Sequence, residues 1–266
     1  MSNLSNSTTA KPILDIQHVS KVFDLNGQSI HALKDVDLKI QKGEFICLIG
    51  ASGCGKSTLL RIMGGFETVS TGSATMYGAE ITEPDSQRGM VFQDYGLFPW
   101  LTVRQNIAFG PKQRGLSEAK LKELTDHYLE MVGLTKFANH FPNQLSGGMK
   151  QRVSIARVLA NDCEVLLMDE PFGALDALTR ESLQNELLDI WEKTNLTVIF
   201  VTHAVEEAVL LADRVVVMTA GPGRIERDYS IPLARPRQIT SPEFNQVRQE
   251  LTDMLSSHVG HHGKSH

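Results

Sequence analysis

The plainest chemistry in the chain sits in one loop, Gly50-Ala51-Ser52-Gly53-Cys54-Gly55-Lys56-Ser57-Thr58. Gly50, Gly53 and Gly55 permit the positive φ angles that turn backbone N–H groups inward around an anion. Lys56 places a positive charge within reach of β- and γ-phosphates, and the Ser57 hydroxyl is of the type that ligates Mg2+. An apolar run, Phe45-Ile46-Cys47-Leu48-Ile49, precedes the loop, and Leu59, Leu60, Ile62 and Met63 follow it at helical spacing. Strand, glycine turn and helix N-terminus is the setting a phosphate-binding loop requires, and the helix adds its positive end to the same spot. The bland alternative is a loop of small residues that matches by accident. The pattern predicts a nucleoside triphosphate site.

Two further stretches carry chemistry. Asp169 and Glu170 follow the apolar run Val165-Leu166-Leu167-Met168. A carboxylate just past an apolar strand lies at the carboxyl edge of a parallel sheet, where α/β proteins bind ligands. Asp169 is expected to hold Mg2+, directly or through water, and Glu170 to orient and polarise an attacking water. The plain reading is two surface acids at a strand end. Leu145-Ser146-Gly147-Gly148-Met149 opens a helix carrying Val153, Ile155, Ala156 and Leu159. It reads either as an ordinary serine cap or as a second anion-binding helix N-terminus.

The elements that must position these residues alternate along the chain. Strands are expected between Ile13 and Ile40 with a turn at Gly27, then before the loop, then at residues 73–77 and 89–92. Residues 104–110 and 117–132 read as helices, the second with Ser117 as N-cap, Gly133 as stop and an apolar stripe of Leu121, Leu124, Tyr128 and Val132. Strands return at 165–168, 197–201 and 215–218, joined by helices, and strands apolar on both faces predict a parallel sheet covered on both sides. A last helix is expected from Ser241-Pro242-Glu243. The expected layout is α/β. Residues 12–93 and 164–225 form the core with an antiparallel β subdomain on its N-terminal side, and 94–163 an inserted helical subdomain. Residues 1–11 read as a disordered tail and 226–266 as an extension.

Composition narrows the class. With 266 residues, 41% hydrophobic and 21% charged, the chain reads as an ordinary globular protein. A net charge of −5 argues against a general nucleic-acid binder. Cys47, Cys54 and Cys163 are odd in number without CxxC spacing, which suggests a reducing compartment. Cys54 reads as an oxidisable thiol or simply a small residue that fits. The polar first residues do not resemble a secretory signal, and no apolar run approaches the ~18 residues of a membrane span, so a cytosolic location is expected.

The ordered set of motifs resembles the nucleotide-binding subunit of an ATP-binding cassette (ABC) transporter over about residues 13–225. The set comprises the phosphate loop, Gln93 in Val91-Phe92-Gln93-Asp94, LSGGMKQR at 145–152, Asp169-Glu170, Ala174-Leu175-Asp176 and His203. The resemblance implies a P-loop NTPase (RecA-like) core and two copies paired head to tail. Each ATP is then held between the phosphate loop of one copy and Ser146-Gly147-Gly148 of the other. It implies Glu170 as general base, His203 as γ-phosphate contact, Gln93 as a Mg2+ contact reporting to a membrane partner, and Asp176 as a link across the dimer. Phe23 stands where the family places an aromatic that stacks on adenine, with a core role as the rival. Ala204 follows His203 where the family often has Asp, which bears on how the histidine is oriented.

The branch resembled is that of importers for nitrate, sulfonates, taurine and bicarbonate. The matching pieces are GLFPWLTVRQNI (96–107), PFGALDALTR (171–180), the turn at 222–225 and IPLARPR (231–237). This implies two permease subunits, a periplasmic or extracellular solute-binding protein, and a peripheral place at the cytoplasmic face of the membrane. Phe98 and Trp100 read either as a pocket for a permease helix or as the small core of the helical insert. His258, His261, His262 and His266 read as a metal-binding or a solvated tail. A soluble ABC ATPase without a transport role is the alternative function; a P-loop kinase is opposed by the signature stretch and Gln93.

Overall fold

The computed structural model describes residues 11–259, with side chains described to residue 256. Nearly all of the expected N-terminal tail, with His261, His262 and His266, lies outside the described residues. The described chain begins with an antiparallel hairpin, β1 (Leu14–Leu25) and β2 (Gln28–Ile40). Asn26 and Gly27 turn it with φ of 55° and 80°, the left-handed pair whose twist matches the flanking strands. β3 (Phe45–Gly50) then leaves for a second sheet, followed by α1 (Lys56–Met63). β4 (Thr71–Met76) and the short β5 (Ala79–Glu80) return to complete a sheet of order β2-β1-β4-β5.

The second sheet adds β6 (Arg88–Val91), β7 (Val165–Asp169), β8 (Thr197–Val201), β9 (Arg214–Thr219) and β10 (Arg224–Ser230). Its order is β10-β9-β3-β8-β7-β6, parallel throughout except for β10. Every residue of β3 and β8 is buried, as strands covered on both faces must be. β10 corrects the sequence expectation, which ran the tail on from residue 226. It is an antiparallel edge strand with only Ile225 and Tyr229 partly buried, so it carries no apolar alternation to betray it. A core boundary after residue 225 therefore falls inside a strand.

Between β6 and β7 the chain builds α2 (Val103–Gln113), α3 (Glu118–Met131) and α4 (Gly147–Leu159). Thr102 and Gln105 form a reciprocal capping box on α2, which continues through Pro111 beyond the expected end at 110. Ser117 holds the N-cap position of α3 but its side chain makes no capping bond. This subdomain has its own core of Val103, Ile107, Leu129, Leu134, Val153 and Ala156.

α5 (Ala177–Thr194), α6 (Val205–Leu211) and α7 (Pro242–Val259) join α4 against one face of the large sheet. α1 and the antiparallel sheet cover the other face. Phe45, Phe172 and Phe200 pack with tilted rings in the first cluster, each such side chain contributing about 1.5–3 kcal/mol by leaving water. Among the described residues no helix is long and apolar enough to cross a membrane.

Candidate active site

β3 delivers the chain to the phosphate loop at the carboxyl edge of the sheet. Gly55 is the N-cap of α1 with φ 89°, and a Cβ there would meet Leu33 Cδ2 at 2.6 Å and the Ala32 carbonyl at 2.8 Å. Only glycine meets both demands. Gly53 has φ 78° with open space where a Cβ would stand, and Ser52 is exposed beside it. The first N–H groups of α1 have no intrahelical acceptor, so they and the positive helix end face an anion approaching the loop. The buried Lys56 ammonium donates to the carbonyls of Gly50 at 2.8 Å and Ala51 at 3.1 Å. Those carbonyls satisfy a charge that would otherwise be costly to bury. The Cys54 side chain is fully buried and packs under the loop, and its N–H donates to Ala51 O at 3.2 Å. Thr58 lies half-buried in the first turn of α1.

Sheet register brings the acids to this loop. Ser57 Oγ donates to Asp169 Oδ1 at 2.9 Å, joining the start of α1 to the end of β7. A hydroxyl and a carboxylate side by side are hard oxygen donors, the kind Mg2+ takes. The cradle of N–H groups above them fits the phosphates of ATP. Glu170, next along, has φ 48°, a left-handed conformation rare for a glutamate. Its N–H donates to Val201 O at 3.0 Å and its carbonyl accepts from Gly173 N at 3.2 Å, which holds the turn. His203 lies two residues past β8, and its Nδ1 is 3.4 Å from Glu170 Oε2. Gln93, exposed just past β6, has its amide nitrogen 3.9 Å from where a Cβ on Gly173 would stand. Ser57, Asp169, Glu170, His203 and Gln93 thus gather at the ends of neighbouring strands.

The second candidate anion-binding helix, α4, stands elsewhere, on the helical subdomain. Ser146 caps α4, its Oγ accepting from Met149 N at 3.3 Å. Gly148 is buried, and a Cβ there would come within 2.6 Å of Thr179 Cγ2, so this glycine lets α4 pack on α5. Gly147 lies beside Leu175, and Asp176 caps α5 by accepting from Thr179 N at 3.0 Å. That backbone bond holds the exposed Asp176 carboxyl below its usual range. Among the described residues no hydrogen bond or ion pair joins the phosphate loop to Ser146, Gly147 or Gly148. Phe23 is half-buried on β1, outside the apolar core, with the Lys21 ammonium 4.9 Å from its ring centroid.

Gly223, in the sequence simply part of a turn, braces the loop. It donates to Ala32 O at 3.1 Å, and a Cβ there would meet the carbonyl of Cys54 at 2.2 Å. The β9–β10 hairpin brings it there, so no local pattern could reveal it. Also unforeseen was Glu207, a buried acid four residues past His203.

A cleft of about 840 Å³ lies on the helical subdomain, lined by Trp100, Arg104, Phe109, Lys112 and Leu121. The loop lies on an open face instead, with Ala51, Ser52 and Gly53 all exposed. Trp100 is 70% exposed, while Phe98 packs 4.5 Å from Phe109 and 5.6 Å from Trp100, ring centre to ring centre. Neither belongs to the core of the insert, which is built from other residues.

Comparison with known proteins agrees with this geometry. Residues 33–173 match the family described as ABC transporter. A taurine import ATP-binding protein of Roseobacter denitrificans is 46% identical over 250 residues, covering 91% of this chain and 93% of its own. A nitrate import ATP-binding protein of Synechococcus elongatus is 47% identical over 262 residues, covering 96% of both chains. A bacterial ABC transporter cassette solved as a dimer superposes with a TM-score of 0.74 at 33% identity, over 83% of this chain and all of that one. The dimeric post-hydrolysis state of such a cassette, bound to ADP and phosphate, gives 0.72 at 32% identity over 83% of this chain and 100% of that one. The chain belongs to the ABC transporter family, as one of its ATP-binding subunits.

Proposed function

We propose that the chain is the ATP-hydrolysing subunit of an ABC importer that powers uptake of a small anion-like solute: nitrate, a sulfonate such as taurine, or bicarbonate. The observation that carries the catalytic part is the junction at the sheet edge. There the 2.9 Å Ser57–Asp169 contact adjoins the 3.4 Å approach of His203 to Glu170, directly beside the phosphate loop. The solute class rests on the taurine and nitrate import relatives, each similar over more than nine-tenths of this chain.

In this reading Gly50, Ser52, Gly53, Cys54, Gly55, Lys56, Ser57 and Thr58 hold the phosphates of ATP through backbone N–H groups and the Lys56 ammonium. Ser57, Asp169 and Gln93 hold Mg2+, which when bound neutralises charge on the phosphate oxygens. Glu170 accepts the proton of the attacking water and His203 contacts the γ-phosphate. Phe23 stacks on adenine. Ser146, Gly147 and Gly148 of a second copy close over the nucleotide, and Asp176 carries the state of one site to the other. Similarity to cassettes solved as dimers supports this pairing. The Trp100 cleft receives a segment of a permease subunit, two of which complete the pore, and a solute-binding protein outside delivers the cargo. The chain itself then sits peripherally on the cytoplasmic face.

The test is uptake of labelled nitrate, alkanesulfonates, taurine and bicarbonate by cells with and without the gene, beside ATP hydrolysis by the purified chain. Loss of uptake of one of these anions on deletion is expected. Unchanged uptake of all four would overturn the solute class, and a purified chain unable to hydrolyse ATP would overturn the catalytic assignment.

A further inference from the structure

His203 rests on a buried polar relay that reaches the loop carrying Asp176. Thr202, the residue before it, is 2% exposed, and its hydroxyl accepts from Ala204 N at 3.0 Å, pinning the backbone on both sides of the histidine. The same hydroxyl donates to Glu207 Oε2 at 2.5 Å. Glu207 is 9% exposed on the inner face of α6. Its other oxygen accepts from Gln184 Nε2 at 3.1 Å and lies 3.8 Å from Arg180 Nε, both residues on α5. Arg180 in turn donates to Leu175 O at 3.0 Å and to Phe172 O at 3.4 Å. Both carbonyls lie within the segment between Glu170 and Asp176.

Phosphate contacts and proton transfer are already assigned to other groups, and none of Thr202, Glu207, Gln184 or Arg180 is placed against the nucleotide. Their arrangement has a different logic. A buried carboxylate is costly unless its oxygens are filled, and here one oxygen is filled from the histidine side and the other from the α5 side. Moving either segment would strip a partner from a buried charge. The two loops are therefore held in one register by Glu207.

We propose that Glu207 is a positioning residue. It joins Thr202 to Arg180, so that His203 and the Glu170–Asp176 segment are set together, and closure of a second copy on Asp176 is felt at His203. The proposal rests on the reading of His203 as the γ-phosphate contact. The relay acts on turnover and leaves nucleotide binding to the phosphate loop.

The test is steady-state ATP hydrolysis by the full chain, with ATP affinity and thermal midpoint measured alongside. Thr202→Val removes the hydroxyl and keeps the shape; Thr202→Ser restores it. Arg180→Lys loses the fork at a partly exposed site. We expect Thr202→Val and Arg180→Lys each to lower kcat by about ten- to a hundredfold, the scale on which small misplacements act. KM for ATP should stay within about twofold, since the phosphate loop is untouched. Thr202→Ser should recover kcat, and the double variant Thr202→Val/Arg180→Lys should be no slower than the slower single, because both break one relay. Unchanged kcat in Arg180→Lys, or losses that multiply in the double variant, would overturn the proposal, as would a rise in KM that accounts for the whole effect. If Thr202→Val fails to fold, Arg180→Lys and Glu207→Gln, singly and combined, decide by the same criteria. A wild-type chain that hydrolyses no ATP would instead sink the catalytic reading itself.

Discussion

Glu170 occupies a left-handed backbone position, anchored to Val201 and Gly173, with His203 Nδ1 against its carboxylate. Such strain persists only where the surroundings enforce it, and here backbone bonds to Val201 and Gly173 hold the acid beside His203. Glu170→Gln should keep ATP binding and lower the hydrolysis rate by at least about a hundredfold, the usual worth of a general base. Turnover near wild type would remove Glu170 from that role. Lys56→Ala should weaken ATP binding by roughly ten- to a hundredfold, the span of a hydrogen bond to a charged group. Equilibrium titration with a fluorescent ATP analogue checks it, and unchanged affinity would contradict the reading of the loop. At this scale the sequence was highly legible, because phosphate chemistry demands particular residue types at fixed spacing. The φ of Glu170 and the Lys56 contacts with its own loop carbonyls were not, since both depend on what folds around them.

At the scale of elements, legibility followed burial. β3, β7 and β8 announce themselves as continuous apolar runs, whereas β10 does not, because an edge strand needs no buried face. Its turn matters to the site all the same. Gly223 presses on the Cys54 carbonyl, so Gly223→Ala should displace the phosphate loop, lowering stability by about 1–3 kcal/mol and weakening ATP binding. Chemical denaturation with and without ATP checks both. The β1–β2 hairpin offers a separate test. His18 Nδ1 lies 2.9 Å from Asp35 Oδ1 and 3.4 Å from Asp37 Oδ2, and the Asp35 hydrogen bond, then both carboxylate charges, raise its pKa. The stabilisation is therefore complete below the ordinary value of about 6.5 and is lost as pH rises through the raised one. An NMR titration should place the His18 midpoint above that value, and Asp35→Asn should bring it down.

Across the whole molecule, two glycine-bearing helix N-termini stand on different subdomains. Gly50–Thr58 lies on the core, and Ser146-Gly147-Gly148 opens α4 on the helical insert. The sequence left the second open between an ordinary serine cap and an anion-binding end, and it did not reveal their separation, to which the packing of α4 against α5 through Gly148 contributes. In the proposed reading a two-fold pair completes the site in trans, each copy offering its loop to the other's Ser146. Mixing two inactive variants, Lys56→Ala and Ser146→Arg, tests this directly. Each homodimer carries two damaged sites, but a mixed dimer has one site with intact Lys56 from one copy and intact Ser146 from the other. Random pairing predicts recovery of hydrolysis to about a quarter of the wild-type rate. A mixture as inactive as its parts would contradict a site shared between two copies.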